Sequence, residues 1–196
     1  MRASLRLLLA TLLVVGLAPS SQAESWKVDP AHTTVGFNVS HLFTSVQGRF
    51  DRFEGTIDFD PANPAATVVR GTIEAASINT NNAKRDKHLR SGDFFDTEKY
   101  PKLQFASTKV TITDGRSGTI AGNLTIHGVT RPVVLDVKFL GSGKDPWGNE
   151  RAGFRAEVTI NRRDYGLNWN ELLETGGVLV GDEVEIRIDV EGLLEE

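Results

Sequence analysis

The side chains best placed for chemistry are His88, Ser91 and Asp93, inside the stretch HLRSGDFFDTEKYP from His88 to Pro101. A hydroxyl, an imidazole and a carboxylate are the parts of an acyl-transfer centre, in which the imidazole takes the hydroxyl proton and the carboxylate orients the ring. Such a centre needs the three groups in line. Intervals of three and two residues on one short helix and turn do not provide that by themselves, and no Gly-x-Ser-x-Gly elbow is present. Asp93 and Arg90 read better as pins that hold this segment down through charge-assisted bonds. The four histidines, His32, His41, His88 and His127, include no pair at metal-ligand spacing. Cysteine is absent and the one methionine is Met1, which removes thiol chemistry and the usual haem ligands. No catalytic residue, metal or cofactor is expected.

The elements around this stretch read as strands, because apolar and polar residues alternate with a period of two. Trp26 and Val28 open a short strand that ends at Asp29-Pro30. Thr33 to Leu42 sets Val35, Phe37 and Val39 on one face. Ser45 to Asp60 carries Phe50, then Phe53, Ile57 and Phe59, with a change of parity that predicts a β-bulge near Asp51-Arg52. Thr67 to Thr80 sets Val69 and Ile73 inward, and Lys102 to Asp114 does the same with Leu103 and Phe105. Hairpins at Gly115–Gly118 and His127–Val129 flank a strand carrying Ile120, Leu124 and Ile126. Val133, Leu135, Val137 and Phe139 follow, then a loop from Gly141 to Glu150 with Trp147 at its tip. Ala152, Phe154, Ala156, Val158 and Ile160 face inward, and Glu183–Glu191 closes the series. Between the strands, Ala83–Ser91 predicts one short helix, capped by Asn81 or Asn82 and ended by Gly92.

About eight strands with one apolar face each predict an all-β fold with one short helix: a lipocalin-like, eight-stranded antiparallel up-and-down barrel with an apolar interior. A two-sheet sandwich is the alternative. The stretch from His88 would cross the open end. A barrel of this girth is either filled by its own side chains or holds one slim ligand. Small residues recur at inward positions: Gly48, Gly55, Gly71, Ala75, Gly122, Ala152 and Ala156. Glycine weakens a strand, so it marks either a curve or room for a bound molecule. The expected wall of a ligand site is Phe37, Val39, Phe50, Phe53, Ile57, Ile73, Phe94, Phe95, Phe105, Leu124, Leu135, Val137, Phe154 and Val158. Arg90 is the candidate for a ligand head group. Burying a methylene contributes roughly 0.8 kcal/mol, so about twenty would give ~16 kcal/mol before the cost of ordering a flexible chain. A greasy interior needs no charged site to bind a long apolar molecule.

The N-terminus predicts a secretory signal over residues 1–23, with Arg2 and Arg6 ahead of the apolar run Leu7–Leu17 and cleavage after Ala23. The run is too short to favour a membrane anchor. The remainder, 24–196, is one domain. Without Arg2 and Arg6 it has 20 basic against 26 acidic side chains, a net charge of −6, which argues against nucleic-acid or anionic-surface partners.

Five stretches in order carry a family resemblance: VDPAHTTVGFNVSHL, HLRSGDFFDTEKYP, LTIHGVTRPV, RRDYGLNWN and GDEVEIRIDVEG. Together they resemble the YceI-like family of polyisoprenoid-binding proteins over about Trp26 to Gly192. The resemblance implies a lipocalin-like barrel exported to the periplasm, a long isoprenoid or similar amphiphile in the pore (of polyprenyl phosphate or quinone class), and frequent homodimers. It implies no catalytic set. An exported stress or protein-interaction factor with a packed barrel, and a hydrolase acting at the barrel mouth, are the competing expectations.

Overall fold

Wherever the apolar-polar alternation holds, the computed structural model forms strands; it describes residues 24–59, 63–172 and 178–195, and the expected signal segment lies outside them. The strands are β1 (Glu24–Val28), β2 (Thr34–His41), β3 (Thr44–Phe50), β4 (Phe53–Phe59), β5 (Val68–Glu74) and β6 (Ile78–Asn79), then β7 (Lys102–Ile112), β8 (Ser117–Ile126), β9 (Val129–Lys144), β10 (Glu150–Asn161) and β11 (Val180–Leu194). One helix, α1 (Ala83–Arg90), lies between β6 and β7.

Short strands laid end to end act as single staves. β1 and β2 both pair with β11, at Val28↔Gly192 and Thr34↔Asp189. β4 pairs with β1 and β3 with β2, while β5 and β6 pair with β4 and β3. Counted this way, eight antiparallel staves run up and down in chain order, and the β1–β11 pairing closes the ring. The barrel architecture expected from the alternation is present, and the sandwich is not.

The parity change at Asp51-Arg52 is a corner rather than a bulge. β3 and β4 end and begin on either side of it, and breaks in the two flanking staves fall beside it. The corner is fastened by backbone groups freed from the ladder. Asp51 N–H donates to the Ser77 carbonyl at 3.1 Å, Glu74 N–H to Arg52 at 3.0 Å, and the Ser77 hydroxyl to Glu74 at 2.7 Å. Bending three neighbouring staves together lets the backbone groups freed from the ladder pair with one another.

Half of the expected loop 141–150 is strand. β9 and β10 continue to Lys144 and Glu150, with a register shift at Gly153/Phe154 opposite Gly141, which sits at φ 145°. A β-bulge absorbs the irregularity that sequence alone suggested was loop. Asn82 caps α1, its side chain accepting from Arg85 N–H at 3.1 Å, and the helix stops at Ser91, one residue ahead of Gly92.

The two ends of the ring differ. At the end where the chain begins, the floor, buried Trp26, Ile57 and Ala152 pack with Phe59, Phe139 and Phe154. The three phenylalanine rings lie 5.3–5.8 Å apart between centroids, filling that end with aromatic volume. Beside it, Arg151 donates to Asp29 (2.8 Å), Asp145 (2.7 Å) and Glu191. Arg151 and then His32 hold the Asp29 carboxyl down, from 3.8 to about 2. Asp145 is held well below the ordinary carboxylate range, first by the Asn149 side chain and also by Arg151. The opposite, covered end carries α1, the segment 91–101 and a 3-10 turn at Arg162–Tyr165.

The inward glycines fall into two kinds. A Cβ on Gly48 would collide with the Phe37 ring, and one on Gly122 with the Phe105 ring. These glycines seat an aromatic ring from the neighbouring strand. A Cβ on Gly55 would lie 2.8 Å from the Arg70 carbonyl, whereas its cross-strand partner Gly71 would meet only the Glu54 carbonyl, at 3.9 Å. Of these four, only Gly71 leaves room.

Two outcomes test this account. Gly122→Val is expected to destabilise by about 1–3 kcal/mol in denaturant unfolding, because the Phe105 ring must leave its seat; an unchanged midpoint would contradict it. Arg151→Met is expected to lower the melting temperature at neutral pH, because it leaves three carboxylates without their shared partner. The Asp29 carboxyl has a depressed value in the folded state, so its stabilising contribution is complete above about 4 and disappears as pH falls toward about 2. The gap between wild type and variant should shrink over that window, as read by thermal melts.

Candidate functional site

Between the filled floor and the covered end the barrel is hollow. A cavity of about 270 Å3 runs inside the staves. Its wall is built almost wholly from inward apolar side chains of β2, β4, β5, β7, β8, β9, β10 and β11. Their incomplete burial is the signature of the void. Phe37, Phe53, Phe105, Leu124, Val137 and Val158 all point inward yet are only half-buried, whereas packed interiors leave little such surface.

Most of the expected wall residues meet here. Phe37, Val39, Phe50, Phe53, Ile57, Ile73, Phe94, Phe95, Phe105, Leu124, Leu135, Val137 and Val158 border the cavity. Phe154 stands apart, in the floor cluster with Phe59 and Phe139. The alternation put it on the inward face correctly but carried no information on how far along the barrel the void extends. Other bordering residues, among them Val35, Ile120, Ile186 and Ile188, share those inward faces, and the same periodicity would have found them.

The covered end is held by buried polar bonds. Arg162, 4% exposed, donates to the carbonyls of Gly181 (2.8 Å), Leu167 and Trp169 (2.9 Å), and reaches Asp182 at 3.3 Å. Burial pushes its pKa down from the ordinary guanidinium value, with the Asp182 charge opposing. This one side chain gathers the loop Arg162–Trp169 over the opening, with Tyr165 and Leu167 buried beneath it. Desolvation raises the Tyr165 pKa. Asp86, also buried, accepts from both the hydroxyl (2.6 Å) and the N–H (2.9 Å) of Thr80, tying α1 to β6. Gly128, at φ 74°, completes a two-residue turn with His127, and a Cβ there would strike the Tyr100 ring.

Arg90 is engaged by the fold: Nε donates to the Ala76 carbonyl at 2.8 Å and Nη2 to that of Ile78 at 2.7 Å. Its expected role as a pin is therefore visible, with backbone carbonyls as the partners. Asp93 instead meets His88 Nε2 at 2.9 Å, and the Ser91 hydroxyl donates to the His88 carbonyl at 2.8 Å. Hydroxyl and imidazole are thus turned to different partners, and the three groups form no relay. The His88 ring packs edge-on against Phe94 (5.1 Å) and Trp169 (4.8 Å), while Phe95 meets Phe50 at 5.9 Å. Asp29, His32 and Glu191 come within ligating distance of one another near the floor, but the Arg151 guanidinium already lies on both carboxylates. Sequence spacing missed this group because β1 and β11 bring it together from opposite ends of the chain. Among the described residues no helix is long and apolar enough to cross a membrane.

A YceI-like domain model matches residues 26–192. Protein YceI of Escherichia coli O157:H7 is 43% identical over 182 residues, spanning 91% of this chain and 92% of that protein. The crystal structure of Burkholderia cenocepacia BcnA superposes with a TM-score of 0.75 at 26% identity, covering 84% of this chain and 98% of that one. A polyisoprenoid-binding domain from Saccharophagus degradans shares the fold at a TM-score of 0.61 and 17% identity, over 89% of this chain and 100% of that one.

Because Gly71 is the open position, Gly71→Leu should fill the void without displacing backbone. The variant is expected to take up an apolar fluorescent probe roughly tenfold less well while melting at the same temperature or higher, since glycine is a poor strand residue. Full uptake by a well-folded variant would show that the probe binds elsewhere.

Proposed function

The chain belongs to the YceI-like family, and from that premise we propose that it sequesters or carries a long-chain isoprenoid or similar amphiphile, of polyprenyl phosphate or quinone class, and performs no chemistry on it. The observation that carries this reading is the void itself: about 270 Å3 bounded by phenylalanine, leucine, isoleucine and valine. That is near the lower end of the roughly 300–1,000 Å3 of small-molecule pockets, which suits a slender chain. The shared fold of the Saccharophagus degradans domain supports the ligand class.

In this reading the apolar chain lies against Phe37, Phe53, Phe105, Leu124, Val137 and Val158, with Phe94 and Phe95 closing over it. Selectivity rests on length and girth, since a wall without charge discriminates little among head groups. Arg90 is the residue of the mouth segment offered to a phosphate or quinone oxygen, through whatever donors its two carbonyl bonds leave. The apolar run and small residues before Glu24 support export of the chain, cleavage after Ala23, and residence of the 24–196 barrel in the periplasm.

The test is extraction of natively purified protein into organic solvent, followed by mass spectrometry. A prenyl lipid in near-stoichiometric amount is expected. Protein that arrives empty and takes up no offered prenyl lipid would sink the reading in favour of a packed-barrel interaction factor.

A further inference from the structure

The covered end carries apolar side chains that the cavity does not use. Phe43 is 97% exposed and Leu42 46%, at the tip of the β2–β3 hairpin. Leu172 is 86% exposed and Val178 43%, and the two pair as an isolated antiparallel bridge. This bridge is joined to the β2–β3 hairpin, since Leu42 N–H donates to the Leu179 carbonyl at 3.0 Å and His41 pairs with Val180. Leu42 is held at φ 52°, a left-handed conformation that a two-residue turn normally gives to glycine or asparagine. Local conformation and solvation both oppose this choice of residues.

We propose that these four side chains form a docking surface for a lipid bilayer, through which the prenyl chain enters and leaves; the proposal rests on the reading of the cavity as a prenyl-lipid site. Three observations support a bilayer as the occupant. First, the surface is continuous with the cavity: Val39, three residues before Leu42 on β2, and Val180 and Val184 on β11 are all cavity wall. Second, the floor is filled by Trp26, Phe59, Phe139 and Phe154, so a chain passes more readily at the end covered only by a short helix and loops. Third, among the described residues the exposed apolar side chains form a small cluster rather than a broad face. Their area is small beside the roughly 800 Å2 per side that a stable protein partner buries, and apolar side chains of this kind sink into acyl chains at a membrane surface.

The experiment compares wild type with Leu42→Gly/Phe43→Ser, Leu172→Ser and, as a control at the far end of the barrel, Trp147→Ser, which removes an indole that is 82% exposed. Co-sedimentation uses vesicles of mixed phosphatidylethanolamine and phosphatidylcholine, which carry no net charge. Uptake of a soluble short-chain prenyl alcohol is measured separately. Both tip variants are expected to lose roughly tenfold or more in vesicle binding and to keep uptake of the prenyl alcohol, while Trp147→Ser changes neither. Leu42→Gly relieves the left-handed turn, so the double variant should melt no lower than wild type, which separates lost docking from lost folding. Equal vesicle binding by all four proteins, or none by wild type, overturns the proposal; so does a wild-type dimer in sedimentation velocity that the tip variants abolish, which assigns the surface to a second copy. Vesicle binding that depends on the tips, without prenyl uptake by any protein, would uphold the docking surface and reject the reading of the cavity.

Discussion

An eight-staved ring encloses a volume that something must occupy, and the rest of the structure follows from how that volume is divided. Inward positions alternate along every strand, so the number of side chains available to fill the centre is set by strand length. At the floor the supply is sufficient, because Trp26 and three phenylalanines converge there. Higher up, two phenylalanine rings sit over neighbouring glycines, Phe37 over Gly48 and Phe105 over Gly122. A ring laid against the wall occupies less of the centre than one directed into it. The void is thus a product of where aromatics lie as much as of where small residues stand.

The covered end solves a different problem. Loops that cross a barrel opening carry backbone groups with no ladder to join, and an apolar interior offers them no water. Arg162 and Asp86 answer this with buried charged groups whose bonds go mainly to backbone and hydroxyl partners. Arg90 acts likewise on the Ala76 and Ile78 carbonyls. The result is a cover whose buried charged groups are paired, and the surface turned toward the cavity is mostly Leu89, Phe94, Phe95 and Leu167, with Arg162 beside them.

Much of this was legible in the chain. The period of two assigned nearly every strand and put eleven of the twelve expected strand residues of the wall on the cavity, because facing is a local property. Phe154 shows the limit: alternation distinguishes inside from outside but says nothing of height along the barrel. The corner at Asp51-Arg52 was read as a bulge because its cause, the matching breaks beside it, lies in two other staves. The inward glycines were read as room or curvature, whereas two of them seat a ring from a neighbouring strand, a relation fixed only by register. The group around Arg151 was invisible for the same reason, its members coming from opposite ends of the sequence. In each case the missing information was pairing between distant segments.

The seam between β1 and β11 also orders events in time. The last fifteen-residue strand is the one that completes the ring, and its neighbours include the first strand of the sheet. A ribosome releases the chain in order, so the circle stays open until β11 has emerged, however well the middle hairpins have already formed. Contacts of such long sequence separation are also slow to make. Until then the strands form an open sheet, and it becomes a vessel only when the β1–β11 seam is made.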